Sequence, residues 1–331
     1  MPLGLKIAEV LRNRYKIRER IGQGGMGNIY LADDLRLEGR QCALKEVEYD
    51  RNTPTNLLNE ARDQFLREAT VLARLDHPNL PKVSDFFSIN QRDYLVMDFI
   101  PGKDLRTILQ ESHQQNSFLP ENEVLDWANQ LMDALIYLHK QEPPLIHRDI
   151  KPSNLKITPD GVLKLVDFGL VKILAPDELT VTIIQGRGTA LYTPLEQYGD
   201  DGRHTDARSD IYSFGATLYH LITNTPPAEA RQQFLNPDSL IHPRKINSNI
   251  SVKTERSVLW AMALHPDERP ASIEELKETL FSGREIPVRI QGQTKKTHES
   301  IQSILAKKPD NSLAWISGVL FLVSLIASLL H

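Results

Sequence analysis

The chain has 331 residues, with 39 Lys and Arg against 43 Asp and Glu, a net charge of −4. Hydrophobic residues make up 40% and charged residues 25%, enough for a packed core and too apolar for a disordered chain. The slight acidity argues against nucleic acid as a partner. The single cysteine, Cys42, excludes an internal disulfide and a cysteine-rich zinc site. Charge is unevenly spread, however: residues 311–331 carry none.

In chain order, the N-terminus has neither a long apolar run nor a small-residue cleavage site, so no secretory signal is expected. Residues 15–21 alternate Tyr15, Ile17 and Ile21 with Lys16, Arg18 and Arg20, the pattern of a half-buried strand. A glycine cluster follows, then strands over 28–33 and 41–48. Phe65, Leu66, Ala69, Leu72, Ala73 and Leu75 recur at helical spacing and predict a helix over 57–75, stopped by His77-Pro78-Asn79. Strands are expected over 83–87 and 94–99. After Pro101-Gly102 the pattern becomes helical, over 105–110, 121–139, 211–221, 257–264 and 272–280. Residues 282–312 are polar and read as a linker.

Several motifs carry chemistry. Gly22-Gln23-Gly24-Gly25-Met26-Gly27-Asn28-Ile29 combines glycines, which let backbone N–H groups approach phosphates, with a following strand. Alone it is equally a tight hairpin. A dinucleotide fold needs such glycines to open a helix, and here Ile29-Tyr30-Leu31 reads as strand. Lys45 on its strand and Glu68 in mid-helix are each ordinary surface charges taken singly. Together they can form an ion pair that aims Lys45 at phosphate oxygens.

His147-Arg148-Asp149-Ile150-Lys151-Pro152-Ser153-Asn154 is the most specific signal. A structural loop rarely needs such charge density. Phosphoryl transfer does: it uses a carboxylate to orient a hydroxyl, a cation near the transferring group and an oxygen ligand for Mg²⁺. Thirteen residues past Asn154 stands Asp167-Phe168-Gly169, whose carboxylate can supply a second metal oxygen.

The ordered set G-x-G-x-x-G, A-x-K, helix Glu, H-R-D-x-K-x-x-N and D-F-G resembles the eukaryotic-like (Hanks-type) protein kinases, over about residues 15–281. Met26 in its glycine context and Glu196-Gln197-Tyr198-Gly199 resemble the bacterial serine/threonine subfamily. The resemblance implies an α+β, bilobal fold, with a β-rich lobe over about 15–98 and an α-rich lobe over about 102–281. It also implies ATP and Mg²⁺ as cofactors and proteins with Ser/Thr acceptors as substrates. Ile21, Gly22, Gln23, Gly24, Gly25, Met26, Gly27 and Ile29 would cover the nucleotide. Ala43 would line its pocket, and Lys45 would bind phosphates and pair with Glu68. Met97 would be the gatekeeper, Asp98 to Ile100 the hinge whose backbone binds adenine, and Asp104 a neighbour of the ribose. Asp149 would orient the hydroxyl, Lys151 would contact the γ-phosphate, and Asn154 and Asp167 would hold Mg²⁺. Asp210 would support the catalytic loop, and Arg269 would pair with Glu196. Pro194-Leu195-Glu196 departs from the family's A-P-E, and Ala190-Leu191 replaces a more usual Pro-Gly, which bears on peptide preference. Arg148 would dock an activation loop phosphorylated at Thr180 or Thr182, with Thr189 in a structural role, and a homodimer would serve autophosphorylation. A pseudokinase scaffold and a small-molecule kinase are the competing classes.

Residues 313–330 are 18 apolar or small residues, about 27 Å as a helix, close to the thickness of a hydrocarbon core. A buried helix is the alternative, but the segment lies beyond a polar linker with no partner element. A transmembrane anchor in the lipid bilayer is therefore expected. The linker carries Arg284, Arg289, Lys295, Lys296, Lys307 and Lys308 against Glu285, Glu299 and Asp310, net +3. That excess places the kinase domain on the cytoplasmic side of the cell membrane and the C-terminus across it.

Overall fold

The structure, a computed structural model, describes residues 4–24, 27–47, 49, 54–90, 92–167, 172–173, 190–198 and 205–282. The chain divides into two compact units, Met1–Ile286 and Pro287–His331, and every described residue belongs to the first. Thr180, Thr182, Thr189 and the tail over 313–330 lie outside the described residues, as does the linker beyond Ser282. Among the described residues no helix is long and apolar enough to cross a membrane.

The first lobe is a six-stranded antiparallel sheet. Its strands are β1 (Val10–Leu11), β2 (Tyr15–Gly24), β3 (Gly27–Asp34), β4 (Gln41–Val47), β5 (Val83–Ile89) and β6 (Arg92–Asp98), in the order β1-β2-β3-β4-β6-β5. Helix α1 (Thr55–Leu72) joins β4 to β5. The period-2 alternation of β4 sorts its side chains. Ala43 packs with Leu95 and Met97 in the larger core, while Cys42 and Leu44 join Tyr30, Tyr94 and Val96 in a second core on the opposite face. Lys45 therefore shares the face of Ala43, and Glu46 the face of Leu44.

Glu46 is fully buried on that second face. Its carboxylate accepts hydrogen bonds from Asn28 Nδ2 (3.1 Å), Tyr30 OH (3.2 Å) and Arg92 (2.5 Å). A buried carboxylate needs such partners, because an unpaired one costs several kcal/mol, ~3–5. The N-terminal arm closes the group: Leu5 N donates to Tyr30 OH at 3.0 Å. The strand leaving the glycine hairpin is thus tied to the strand that carries Lys45.

The second lobe is helical. It contains the short strand β7 (Lys103–Asp104), then α2 (Leu105–Gln114), α3 (Glu121–His139), β8 (Leu145–Ile146), β9 (Leu155–Ile157), β10 (Leu163–Leu165) and β11 (Lys172–Ile173). Next come α4 (Ala207–Thr223), α5 (Ala230–Leu235), α6 (Pro243–Ile246), α7 (Val252–Ala261) and α8 (Ile273–Ser282). β7, β9 and β10 form a small sheet in the order β10-β9-β7, and β8 pairs with β11. Helix α3 buries Val124, Trp127, Leu131, Leu135 and Leu138 at helical spacing. Helix α4 runs through the middle of the lobe with 14 of its 17 residues buried. Asp206 caps its start by accepting from Arg208 N, and Asn224, at φ +52°, ends it.

The elements predicted within residues 15–281 all exist, with shifted ends. The helix expected over 257–264 is α7, which starts earlier because Ser251 accepts from Thr254 N and caps it. The strand expected to end at 21 continues to Gly24, because the glycine segment pairs across to β3.

Candidate active site

The glycine segment is a hairpin. Gly22 faces Ile29, Gln23 faces Asn28, and Gly24 faces Gly27 across the β2–β3 pairing. Gly25 and Met26 lie outside the described residues. Gly27, at φ +133°, needs the absence of a Cβ. Ile21 is half-exposed beside the cleft, and Ile29 stands directly across from Lys45 in the β3–β4 register.

The next layer is the wall behind. Ala43 pairs with Met97, and Lys45 with Leu95. Met97 is buried in the larger core. Asp98 ends β6 and is fastened to the segment before β5: Asp98 N donates to Lys82 O, and Lys82 N donates to Asp98 Oδ2. Ile100 is buried. Gly102 then passes so close to β9 that an added Cβ would lie 2.0 Å from Ile157 O, and its φ is +105°. Only glycine fits here. Asp104 caps α2, its Oδ1 accepting from Thr107 N at 2.7 Å and Thr107 Oγ1 at 2.9 Å.

The loop that carries Asp149 hangs from one buried carboxylate. Asp210 on α4 accepts from His147 N at 2.9 Å, Arg148 N at 2.8 Å and His139 Nε2 at 2.9 Å. Burial would raise its pKa, but these bonds and the nearby imidazoles hold the carboxyl below its ordinary range. Arg148, at φ +66°, is thereby kept in the left-handed region, which bulky side chains avoid. Thr217 Oγ1, two turns along α4, donates to Ile150 O at 3.3 Å.

Asp149, Lys151 and Asn154 converge. Lys151 Nζ lies 2.8 Å from both oxygens of the Asp149 carboxylate. Asn154 Nδ2 donates to Asp149 O (2.8 Å) and Asp149 Oδ2 (2.9 Å). Asn154 O accepts from Val166 N at 2.8 Å, which brings Asp167 beside the loop. Both amide hydrogens of Asn154 serve Asp149, and its Oδ1, which accepts one long bond of 3.5 Å from Ser153 Oγ, keeps a lone pair that can meet a cation. Asp167, at φ +68°, is the second oxygen source. This pair suits Mg²⁺, a hard ion usually held by one or two protein oxygens plus phosphates and water. Among the described residues no cluster of three or more His, Cys, Asp or Glu could hold a metal alone.

One expectation is corrected. Lys45 does not pair with Glu68. Its ammonium forms a salt bridge to Asp167 Oδ1, and this cation is the main reason the Asp167 carboxyl lies below its usual range. Glu68 instead accepts from Gln64 Nε2 at 3.0 Å, one turn earlier on α1. Burial pushes its carboxyl upward. The physical reason is competition: Asp167 is the nearer anion to Lys45, and Gln64 satisfies Glu68 locally.

The expected pair of Glu196 and Arg269 is formed. Arg269 is fully buried and grips Glu196 through two bonds of 2.7 and 3.0 Å. It also donates to Ala263 O, Leu264 O and Arg208 O. Leu195 within Pro194-Leu195-Glu196 leaves this bidentate pair intact. Tyr192 OH lies 2.7 Å from His220 Nδ1. Reading single motifs missed three features: the fit of Gly102 against β9, the Glu46 group and Lys156, whose Nζ donates to Ile100 O at 2.7 Å. The only available signal for Lys156 was a cation between two apolar residues in a short strand.

Comparison with known proteins agrees. Residues 15–314 match the protein kinase domain family. A probable serine/threonine-protein kinase of Clostridium acetobutylicum is 30% identical over 93% of this chain and 45% of its own length. The serine/threonine-protein kinase PknB of Mycobacterium leprae is 31% identical over 82% of this chain and 43% of its own. The chain thus spans less than half the length of these relatives. Among solved structures, PpkA-294 in its apo form matches with a TM-score of 0.67 and 26% identity, over 84% of this chain and 99% of that one. The PknI kinase domain of Mycobacterium tuberculosis matches at 0.63 and 25%, over 84% and 98%.

Burial pushes the His220 imidazole down to about 4, against about 6.5 unfolded. Between these values the unfolded chain binds more protons than the folded one, so stability falls as pH drops through this window. Urea denaturation at pH 7 and pH 5 should show His220 contributing about 2 kcal/mol to that loss, and His220→Gln should remove this share of the pH dependence. From its motif order, its fold and these matches, the chain belongs to the protein kinase family, with a domain of the bacterial Hanks-type serine/threonine class.

Proposed function

We propose that this chain is a protein serine/threonine kinase that transfers the γ-phosphoryl group of ATP to a protein hydroxyl and is anchored in a membrane by residues 313–330. The observation that carries the catalytic reading is the Asn154–Val166 bond, which gathers Asp149, Lys151, Asn154 and Asp167 at one end of the cleft. Bound Mg²⁺, held by Asn154 and Asp167, would neutralise charge on the phosphates.

The chain's own residues supply the rest. Asp149 accepts the proton of the incoming hydroxyl as its oxygen bonds to phosphorus and the bond to the ADP oxygen breaks. Lys151, already beside that carboxylate, places positive charge where the transferring group gains negative charge. Lys45 must exchange Asp167 for phosphate oxygens when nucleotide enters. The nucleotide takes up the ammonium as it frees the metal-binding carboxylate, so binding and site assembly are coupled. Lys151 and the segment leading to Glu196 favour a protein acceptor over a small molecule.

Asp149→Asn keeps the size of the side chain and removes the proton acceptor. Phosphoryl transfer to a Ser/Thr peptide should fall by a factor of about 10² or more, with ATP binding preserved. Equal transfer by the variant would exclude the assigned role, and absence of transfer by the parent chain would favour a pseudokinase. The anchor rests on the length and apolarity of the tail and on the basic linker before it. The full chain should sediment with membranes after an alkaline carbonate wash, and a chain ending at residue 312 should not. Sedimentation of both would place the attachment elsewhere.

A further inference from the structure

Helix α5 turns apolar side chains outward. It buries Ala230 and Gln233, while Phe234 is 67% and Leu235 82% exposed. Ile241, a few residues on, is exposed as well. The segment that carries them is pinned along one face of α4. Gln233 Nε2 donates to Tyr212 OH at 3.2 Å, Tyr219 OH donates to Ile241 O at 2.8 Å, and Asn247 Nδ2 donates to Ile222 O at 2.9 Å. Tyr212, Tyr219 and Ile222 follow one another at helical spacing, so α5 and α6 form a single strip along α4. At its near end the Arg231 guanidinium stacks 4.0 Å from the centre of the Tyr198 ring. The strip is therefore a fixed surface, and exposed apolar side chains held together on such a surface mark a place of contact.

The same strip is basic. Lys245 on α6 and Lys253 and Arg256 on α7 are exposed. The two helices are joined by Arg244, whose N donates to Glu255 Oε1 at 2.9 Å and whose Nε donates to Ile250 O at 3.0 Å. From Phe234 to Arg256 there are four cations against Asp238 and Glu255, net +2, in a chain whose total is −4. Among the described residues no carboxylate pairs with Lys245, Lys253 or Arg256. Protein interfaces are depleted in lysine, whereas an anionic bilayer attracts it. Exposed Phe and Leu beside Lys and Arg suit that boundary: the apolar tips enter the acyl edge while the long cationic stems reach the headgroups.

We propose that α5, α6 and the start of α7 form a docking surface for an anionic lipid bilayer, with Phe234 and Leu235 at the headgroup boundary and Lys245, Lys253 and Arg256 facing anionic headgroups. This rests on the reading of residues 313–330 as an anchor. Residues 283–312 can span at most about 100 Å, so a chain held by that anchor keeps the surface near the same bilayer at high effective concentration.

The only thiol of the chain, Cys42, is buried. Leu235→Cys in the full chain can therefore be labelled selectively with an environment-sensitive dye. The labelled chain is reconstituted with vesicles of phosphatidylcholine alone or with about one-third phosphatidylglycerol. Brominated lipid should quench the dye in the anionic vesicles and leave it unquenched in the neutral ones, and high salt should relieve the quenching. Adding Lys245→Glu, Lys253→Glu and Arg256→Glu should lower the docked-to-free ratio about a hundredfold or more. Equal quenching in both kinds of vesicle, quenching in neither, or quenching indifferent to the three charge reversals would each overturn the docking surface. Brightening of the dye that rises with protein concentration in the absence of lipid would assign the face to a second copy of the chain and overturn it too. An alkaline carbonate wash of the same vesicles reads the anchor separately. Release of a chain whose dye was quenched only by anionic vesicles would overturn the anchor and uphold the surface.

Discussion

The buried carboxylate of Asp210 is the constraint on which the rest of the site depends. It sits on a helix that is almost wholly inside the lobe, and it accepts from two consecutive backbone amides, of His147 and Arg148, and from the His139 imidazole. Two consecutive N–H groups can converge on one carboxylate only if the chain between them bends. The left-handed Arg148 is that bend. It aims Asp149 into the cleft, and the Asn154 amide then holds Asp149 from the other side. Hydrogen bonds to a buried charge are worth about 1.5–3 kcal/mol each, enough to maintain a strained residue that costs about 1–3 kcal/mol.

The sheet lobe solves a different problem, that of fixing one lysine on a thin layer. Adjacent residues of β4 face opposite sides, so Lys45 is positioned by what holds Glu46. The Glu46 carboxylate gathers Asn28, Tyr30 and Arg92, so the glycine hairpin, β4 and β6 share one buried anion. On the cleft side Lys45 takes the nearest anion, Asp167. Glu68 is satisfied by Gln64 on its own helix. The two faces thus differ in kind. The outer one is closed and fully partnered, whereas the inner pair is composed of groups that phosphate and metal can each replace.

Legibility in the sequence followed the range of the interaction. Asp149, Lys151 and Asn154 lie within six residues, and their spacing alone places them on one loop. The pairing of Glu196 with Arg269 crosses 73 positions and was readable only through the family resemblance. The Lys45 partner could not be read at all. Glu68 and Asp167 are both within the expected set, and the choice between them depends on where α1 rests against the sheet, which no local pattern encodes. Glu46 and Lys156 were hidden for a related reason: a charged residue in a strand reads as solvated until its neighbours are known. Gly102 read as a boundary between textures, yet its reason is the Ile157 carbonyl lying where a Cβ would be.

Asp210 acts on the proposed transfer only through the loop that it holds. The most direct measurement is the single-turnover rate of phosphoryl transfer in Asp210→Asn, with ATP affinity measured on the same protein. The amide keeps one acceptor oxygen but loses the charge. The rate should fall about tenfold or more, the equivalent of one weakened charge-assisted bond, while ATP affinity stays within about twofold. An unchanged rate in a folded variant would show that the Asp149 loop does not depend on this carboxylate.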